Sequence, residues 1–137
     1  AMRGRFGTKA LDMKDVLRFM MKTPNDGEMA YLFVADQSPK QSAVHYFIDF
    51  LNQRTPVFNG FDKIAQRKDI AVVYCKTEKI KRGYYHTTFE RIEPKNDQFE
   101  ENEIVHQFFD LLEKTIQEHP SNWLWSHKRW KYADLQK

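Results

Sequence analysis

Apolar residues in this chain recur with a helical period in some places and run unbroken in others. Met13, Val16, Leu17 and Met20 stand at i, i+3, i+4 and i+7, the spacing that lines one face of an α-helix. Asp12 precedes them and can cap the first-turn amides, and Thr23-Pro24-Asn25-Asp26-Gly27 gathers enough breakers to end the helix. Asn102–His119 carries Val105, Phe108, Phe109, Leu112 and Ile116 on one face and meets Pro120, so it reads as the clearest helix. Met29–Ala35 and Ile70–Cys75 are continuous apolar runs of strand length. Such runs belong to central strands buried on both faces. His45–Leu51 is aromatic and reads as a strand or an irregular wall. Thr55-Pro56 leads into a short amphipathic helix through Phe58, Phe61, Ile64 and Ala65, ending near Lys68. A turn at Lys79–Gly83 precedes Tyr84–Ile92, a further strand expected to run antiparallel to its neighbour. The order helix, strand, helix, strand, strand, helix predicts an α/β fold with a small mixed β-sheet flanked by helices.

Composition narrows the class. With 137 residues, no repeats and no linker, residues 1–137 are expected to form one domain. The aromatic share of 15% excludes a disordered chain, which lacks bulk of this kind to bury. No apolar run approaches the roughly 20 residues that span a bilayer. The net charge of +3 is too small to imply nucleic acid. Its distribution says more: Arg3, Arg5 and Lys9, then Lys76, Lys79, Lys81 and Arg82, then Lys128, Arg129 and Lys131 form basic groups. They can meet on an anionic ligand or membrane, or simply be solvated faces. Cys75 is the single cysteine, so no internal disulfide forms, and it is expected to pack within its apolar run as a small hydrophobe.

Candidate chemistry is sparse. There is no glycine-rich phosphate loop, no cysteine-based zinc pattern and no HExxH. His45/Asp49 and His106/Asp110 share the i, i+4 spacing, which for His106 reads first as a surface pair on a helix. Asp36-Gln37 follows an expected buried strand, where open α/β sheets place ligands; an Asp that closes a turn fits equally well. Arg3-Gly4-Arg5-Phe6-Gly7 joins phosphate-gripping arginines to permissive glycines. The tail Trp123-Leu124-Trp125-Ser126-His127-Lys128-Arg129-Trp130 joins large rings to cations, suiting a membrane interface, base stacking, or a flap closed over the core.

Four stretches, in order, resemble the C-terminal half of bacterial lipid A late acyltransferases of the lauroyl/myristoyl type, within the lysophospholipid acyltransferase superfamily. They are Arg3–Gly7 with Lys14-Asp15; Tyr31–Gln37; Thr55-Pro56-Val57-Phe58 with Gly60 and Ala65; and the tryptophan-rich tail after His119-Pro120. The resemblance implies the distal half of that fold and an enzyme at the cytoplasmic face of the inner membrane. It implies transfer of a fatty acyl group from acyl carrier protein to a hydroxyl of a phosphorylated lipid A precursor, with no cofactor and no nucleic-acid partner. It assigns Arg3, Arg5, Asp36, Gln37 and Arg129 to substrate binding. The family's His-x4-Asp/Glu box has no counterpart, because Phe50, Arg91, Leu111, Leu124 and Tyr132 stand at the acidic position after the five histidines. No residue of this chain is therefore expected to be the catalytic base. The chain is expected to be the C-terminal portion of the domain, without the N-terminal anchor and box, soluble and inactive alone. The competing reading is a nucleic-acid-binding or protein-interaction α/β module without catalysis.

Overall fold

The fold is that of a computed structural model, which describes residues 7, 8 and 11–135. Its elements are helix α1 (Met13–Lys22), strands β1 (Tyr46–Phe50) and β2 (Gln53–Val57), helix α2 (Gly60–Lys68), strands β3 (Val72–Lys81) and β4 (Tyr84–Ile92), and helix α3 (Glu103–Glu118). The α/β class stands. The strands pair as two separate antiparallel hairpins, β1–β2 and β3–β4, rather than in one mixed sheet.

Helix α3 is the centre of the core. Ile104, Val105, Phe109, Leu112 and Ile116 are buried along the stripe its period requires, each worth on the order of 2 kcal/mol of burial. Phe109 meets Phe50 of β1 with ring centroids 5.1 Å apart. Phe108 meets Tyr74 of β3 at 5.6 Å and Phe61 of α2 at 6.3 Å. Edge-on rings of this kind fill space between elements that share no backbone bonds.

The start of α3 shows how tertiary structure completes a local deficit. Asn102 sits in the left-handed region at φ 64° and offers no side-chain cap. Buried Asp62 of α2 supplies one from outside: its Oδ2 accepts the Ile104 amide at 3.0 Å and the Val105 amide at 3.3 Å, while Oδ1 accepts from Gln66 Nε2 at 2.6 Å. Free first-turn amides need such acceptors. Burial pushes the Asp62 carboxyl above its ordinary pKa, against the opposing pull of these bonds.

The hairpins are built differently. β1–β2 closes through Leu51 and Asn52, both at positive φ (52° and 59°), the two-residue turn that matches strand twist. The Leu51 amide donates to Glu113 Oε2 at 3.0 Å, tying the turn to α3. β3–β4 is a longer ribbon turning at Arg82-Gly83, with Gly83 at φ 81° and a register shift between Lys79 and Lys81. Its root is fastened to α3: Tyr74 Oη donates to Thr115 Oγ1 at 2.9 Å, and Lys76 Nζ meets Glu118 Oε2 at 2.6 Å. Glu78 adds His119 Nε2 at 2.6 Å.

Two expectations are corrected here. Met29–Ala35 is not a strand buried on both faces; it pairs with no strand among the described residues. Its exposure alternates, with Tyr31, Phe33 and Ala35 turned inward and Leu32 and Val34 open to solvent. Phe33 and Ala35 pack on the core, so the run is held by one face only. Cys75 is exposed rather than packed inside, because the run expected to be fully buried is one strand of a two-stranded ribbon with a single covered face. β3 also runs on to Lys81, and Thr55-Pro56 lies within β2 rather than ahead of a helix.

Candidate functional site

Three of the four stretches that carry the resemblance meet in space. The backbone amide of Ser38, directly after Asp36-Gln37, donates to His127 Nε2 at 3.1 Å. Ser38 Oγ donates to the carbonyls of Lys128, at 3.2 Å, and of Arg129. The tail is in turn laid across β2: Arg129 Nη1 donates to the Pro56 carbonyl at 2.8 Å, and Trp130 Nε1 donates to Thr55 Oγ1 at 2.8 Å. Arg54 stacks on the Phe47 ring 3.5 Å from its centroid and donates to the Ala133 and Leu135 carbonyls. Residues 36–38, 54–56 and 127–135 thus form one clamp.

Within that clamp the tail closes over the core. Trp123 and Trp130 pack against Phe50, at ring distances of 6.2 and 6.5 Å. Trp125 is exposed, its indole N–H donating to the Pro120 carbonyl and its backbone amide to the Trp123 carbonyl. β2 can accept the tail because Pro56, opposite Phe47, lies in a strand with a free edge, where a missing N–H is tolerated.

Arg129 is the anomaly of the site. It is 1% exposed, and its Nε and Nη2 have no hydrogen-bond partner. They are the only buried side-chain nitrogen or oxygen atoms in that condition among the described residues. Burial lowers its pKa to about 10, and the nearby Asp36 carboxylate opposes that fall. The guanidinium therefore stays charged at neutral pH. The Phe109 ring, 5.6 Å away, offers a π-face to the same cation. The unpaired Nε–Nη2 edge is the side of the fork that grips a carboxylate or phosphate with two parallel bonds.

The other sequence candidates fall as follows. Asp36 is half-buried and acts on Arg129 through its field, while Gln37 is exposed beside it. Arg3 and Arg5 lie outside the described residues. His127 Nε2 is occupied as an acceptor, so that nitrogen is not free to act as a base. His106 Nε2 is bonded to Tyr46 Oη at 2.8 Å on the surface. The pattern also missed a histidine–carboxylate pair, His119 with Glu78, which unites α3's end with β3 and so has no signature in spacing. It lies in a surface ion-pair cluster with Lys76. No group of histidine, cysteine and acidic side chains suited to a metal ion occurs among the described residues.

An α/β domain that brings an acid-bearing loop and a buried arginine of a tryptophan-rich tail together over a short hairpin is the class this geometry defines. Residues 1–132 match the family model for bacterial lipid A biosynthesis acyltransferases, and the chain belongs to that family. No curated protein and no solved structure is a significant match. No helix among the described residues is long and apolar enough to cross a membrane.

Proposed function

We propose that this chain supplies the acceptor-recognition part of a lipid A acyltransferase, and that the Asp36–Arg129 clamp binds a phosphate of the lipid A precursor. The observation that carries this reading is the unpaired, buried Nε–Nη2 edge of Arg129 in a chain of this family. A buried guanidinium with one edge unpaired is costly, whereas an anion gripped by both of those nitrogens repays that cost. In this reading Gln37 adds a neutral hydrogen bond to the anion, and Asp36 holds the guanidinium charged. Ser38 fastens the loop to the tail through the Lys128 and Arg129 carbonyls.

In the reaction proposed for the family, a base removes the proton of the acceptor hydroxyl and the oxygen attacks the thioester carbonyl of an acyl carrier protein. The tetrahedral centre collapses to the ester, and the carrier thiolate leaves and takes up the proton. None of the five histidines here has an acid five positions on, so the base is proposed to lie outside these residues and the chain alone to be inactive. The test is calorimetric titration of the purified chain with a phosphorylated lipid A precursor in micelles. Arg129→Met should keep the fold and weaken binding by on the order of a hundredfold, the worth of one two-pronged charged contact. Equal binding by wild type and Arg129→Met would remove the site, and acyl transfer by the purified chain would refute its inactivity.

A further inference from the structure

The β3–β4 ribbon has two unlike faces. Residues directly opposite in the ladder share a face, so Tyr74, Lys76 and Glu78 lie with Glu90, Thr88 and His86 on one, and Val73, Cys75, Thr77 and Lys79 lie with Arg91, Phe89, Thr87 and Tyr85 on the other. The first face holds buried Tyr74 and the bonds to α3. The second is covered by no element among the described residues: Phe89 is 72% exposed, Tyr85 64% and Val73 46%, and Cys75 and the bonded pair Thr77–Thr87 are exposed too.

Charge is sorted in the same way. Both acids of the ribbon, Glu78 and Glu90, belong to the α3 side, while the outer face carries only Lys79 and Arg91, the latter paired with Glu93. The tip adds Ile80, Lys81, Arg82 and Tyr84, with Ile80 66% exposed and Lys81 Nζ 4.3 Å above the Tyr84 ring. From Lys79 to Phe89 there are three full positive charges and no acid.

We propose that the outer face and tip of the β3–β4 ribbon are a docking surface for an anionic lipid bilayer. Tyrosines, phenylalanine and isoleucine suit the interfacial zone, where amphipathic and apolar side chains leave water, and lysine and arginine meet the lipid phosphates. Apolar area and cations together fit this occupant better than a second copy, which would set the same cationic tip on a face without acids. Nucleic acid would gain nothing from Ile80 or Val73. The proposal stands apart from acyl transfer, since it rests on the ribbon alone.

Cys75, as the single cysteine, is a built-in reporter on this face, opposite Phe89. The chain carrying an environment-sensitive bimane on Cys75 is mixed with vesicles of phosphatidylcholine, with or without phosphatidylglycerol. The expected result is co-sedimentation and a blue shift only with phosphatidylglycerol, both diminished by salt. Replacing Lys79, Lys81 and Arg82 together by Gln should weaken binding on the order of a hundredfold. Phe89→Ser should weaken it without changing the lipid preference; both variants alter exposed positions, and a thermal melt checks the fold. Equal sedimentation with both vesicles, or none with either, would overturn the proposal. So would binding without a shift at Cys75, preference for a single-stranded oligonucleotide, or a dimer in sedimentation that Phe89→Ser dissolves.

Discussion

Two buried charged side chains sit in different parts of this molecule and are treated in opposite ways. Asp62, beneath the start of α3, has both oxygens engaged by amides of α3 and by Gln66. Arg129, under the clamp of loop, hairpin and tail, uses one nitrogen on the Pro56 carbonyl and leaves two unpaired. Asp62 is fully explained by folding, since it completes a helix end that lacks its own cap. Arg129 is not, because folding leaves three of its five N–H donors, those on Nε and Nη2, empty in a dry place. A charge that the fold satisfies is architecture, and the charge that the fold buries with an unpaired edge is the one to which the binding proposal is attached.

The largest effect that can break this contrast is at Asp62. Asp62→Ala leaves the Ile104 and Val105 amides buried without an acceptor and should cost about 3 kcal/mol, read from urea denaturation. Arg129→Met should cost less, about 1 kcal/mol, because it strands only the Pro56 carbonyl while removing two nitrogens that had no partner. If the two variants were equally destabilised, the distinction between them would fail. Next in size is Thr55→Val, which strands the Trp130 indole N–H and should cost about 1–2 kcal/mol in the same assay.

The smallest effect is one of sign. Burial raises the Asp62 pKa, so its protonation favours the folded state. Its contribution is fullest below the unfolded carboxylate range and is lost as pH rises through the folded value. Relative to Asp62→Asn, the wild type should therefore gain stability as neutral solution is acidified. Glu103 is opposite: the Glu100 amide bond, with those of Lys95 and Gln107, holds its carboxyl below the ordinary range. Relative to Glu103→Gln, the wild type should lose stability as pH falls through that depressed value. Parallel pH profiles for the two pairs would show that burial does not set Asp62 apart.

What could be read without coordinates followed from local repetition. The stripe Val105–Ile116 announced α3 almost to the residue, and Tyr84–Ile92 stands as β4 with those bounds. Breakers at Thr23–Gly27 marked the end of α1, although Leu17, placed on its apolar face by spacing, is exposed. Met29–Ala35 and Cys75 were misjudged for a single reason. An apolar run states that burial is available to it, and whether both faces are covered depends on which elements arrive beside it.

The sequence by itself determined the helices, the ribbon, the α/β class and the order of segments that place the chain among lipid A biosynthesis acyltransferases. Those properties rest on periodicity and short-range turn chemistry, which neighbouring residues decide. Only the tertiary structure decided that Asp62 caps a helix 42 positions away, that Ser38 grips the tail, and that Arg129 is buried with an unpaired edge rather than displayed on a basic surface. Such facts depend on contacts between distant segments. A side chain's charge is written in the sequence, while its solvation and its partners are fixed only when the chain closes around it.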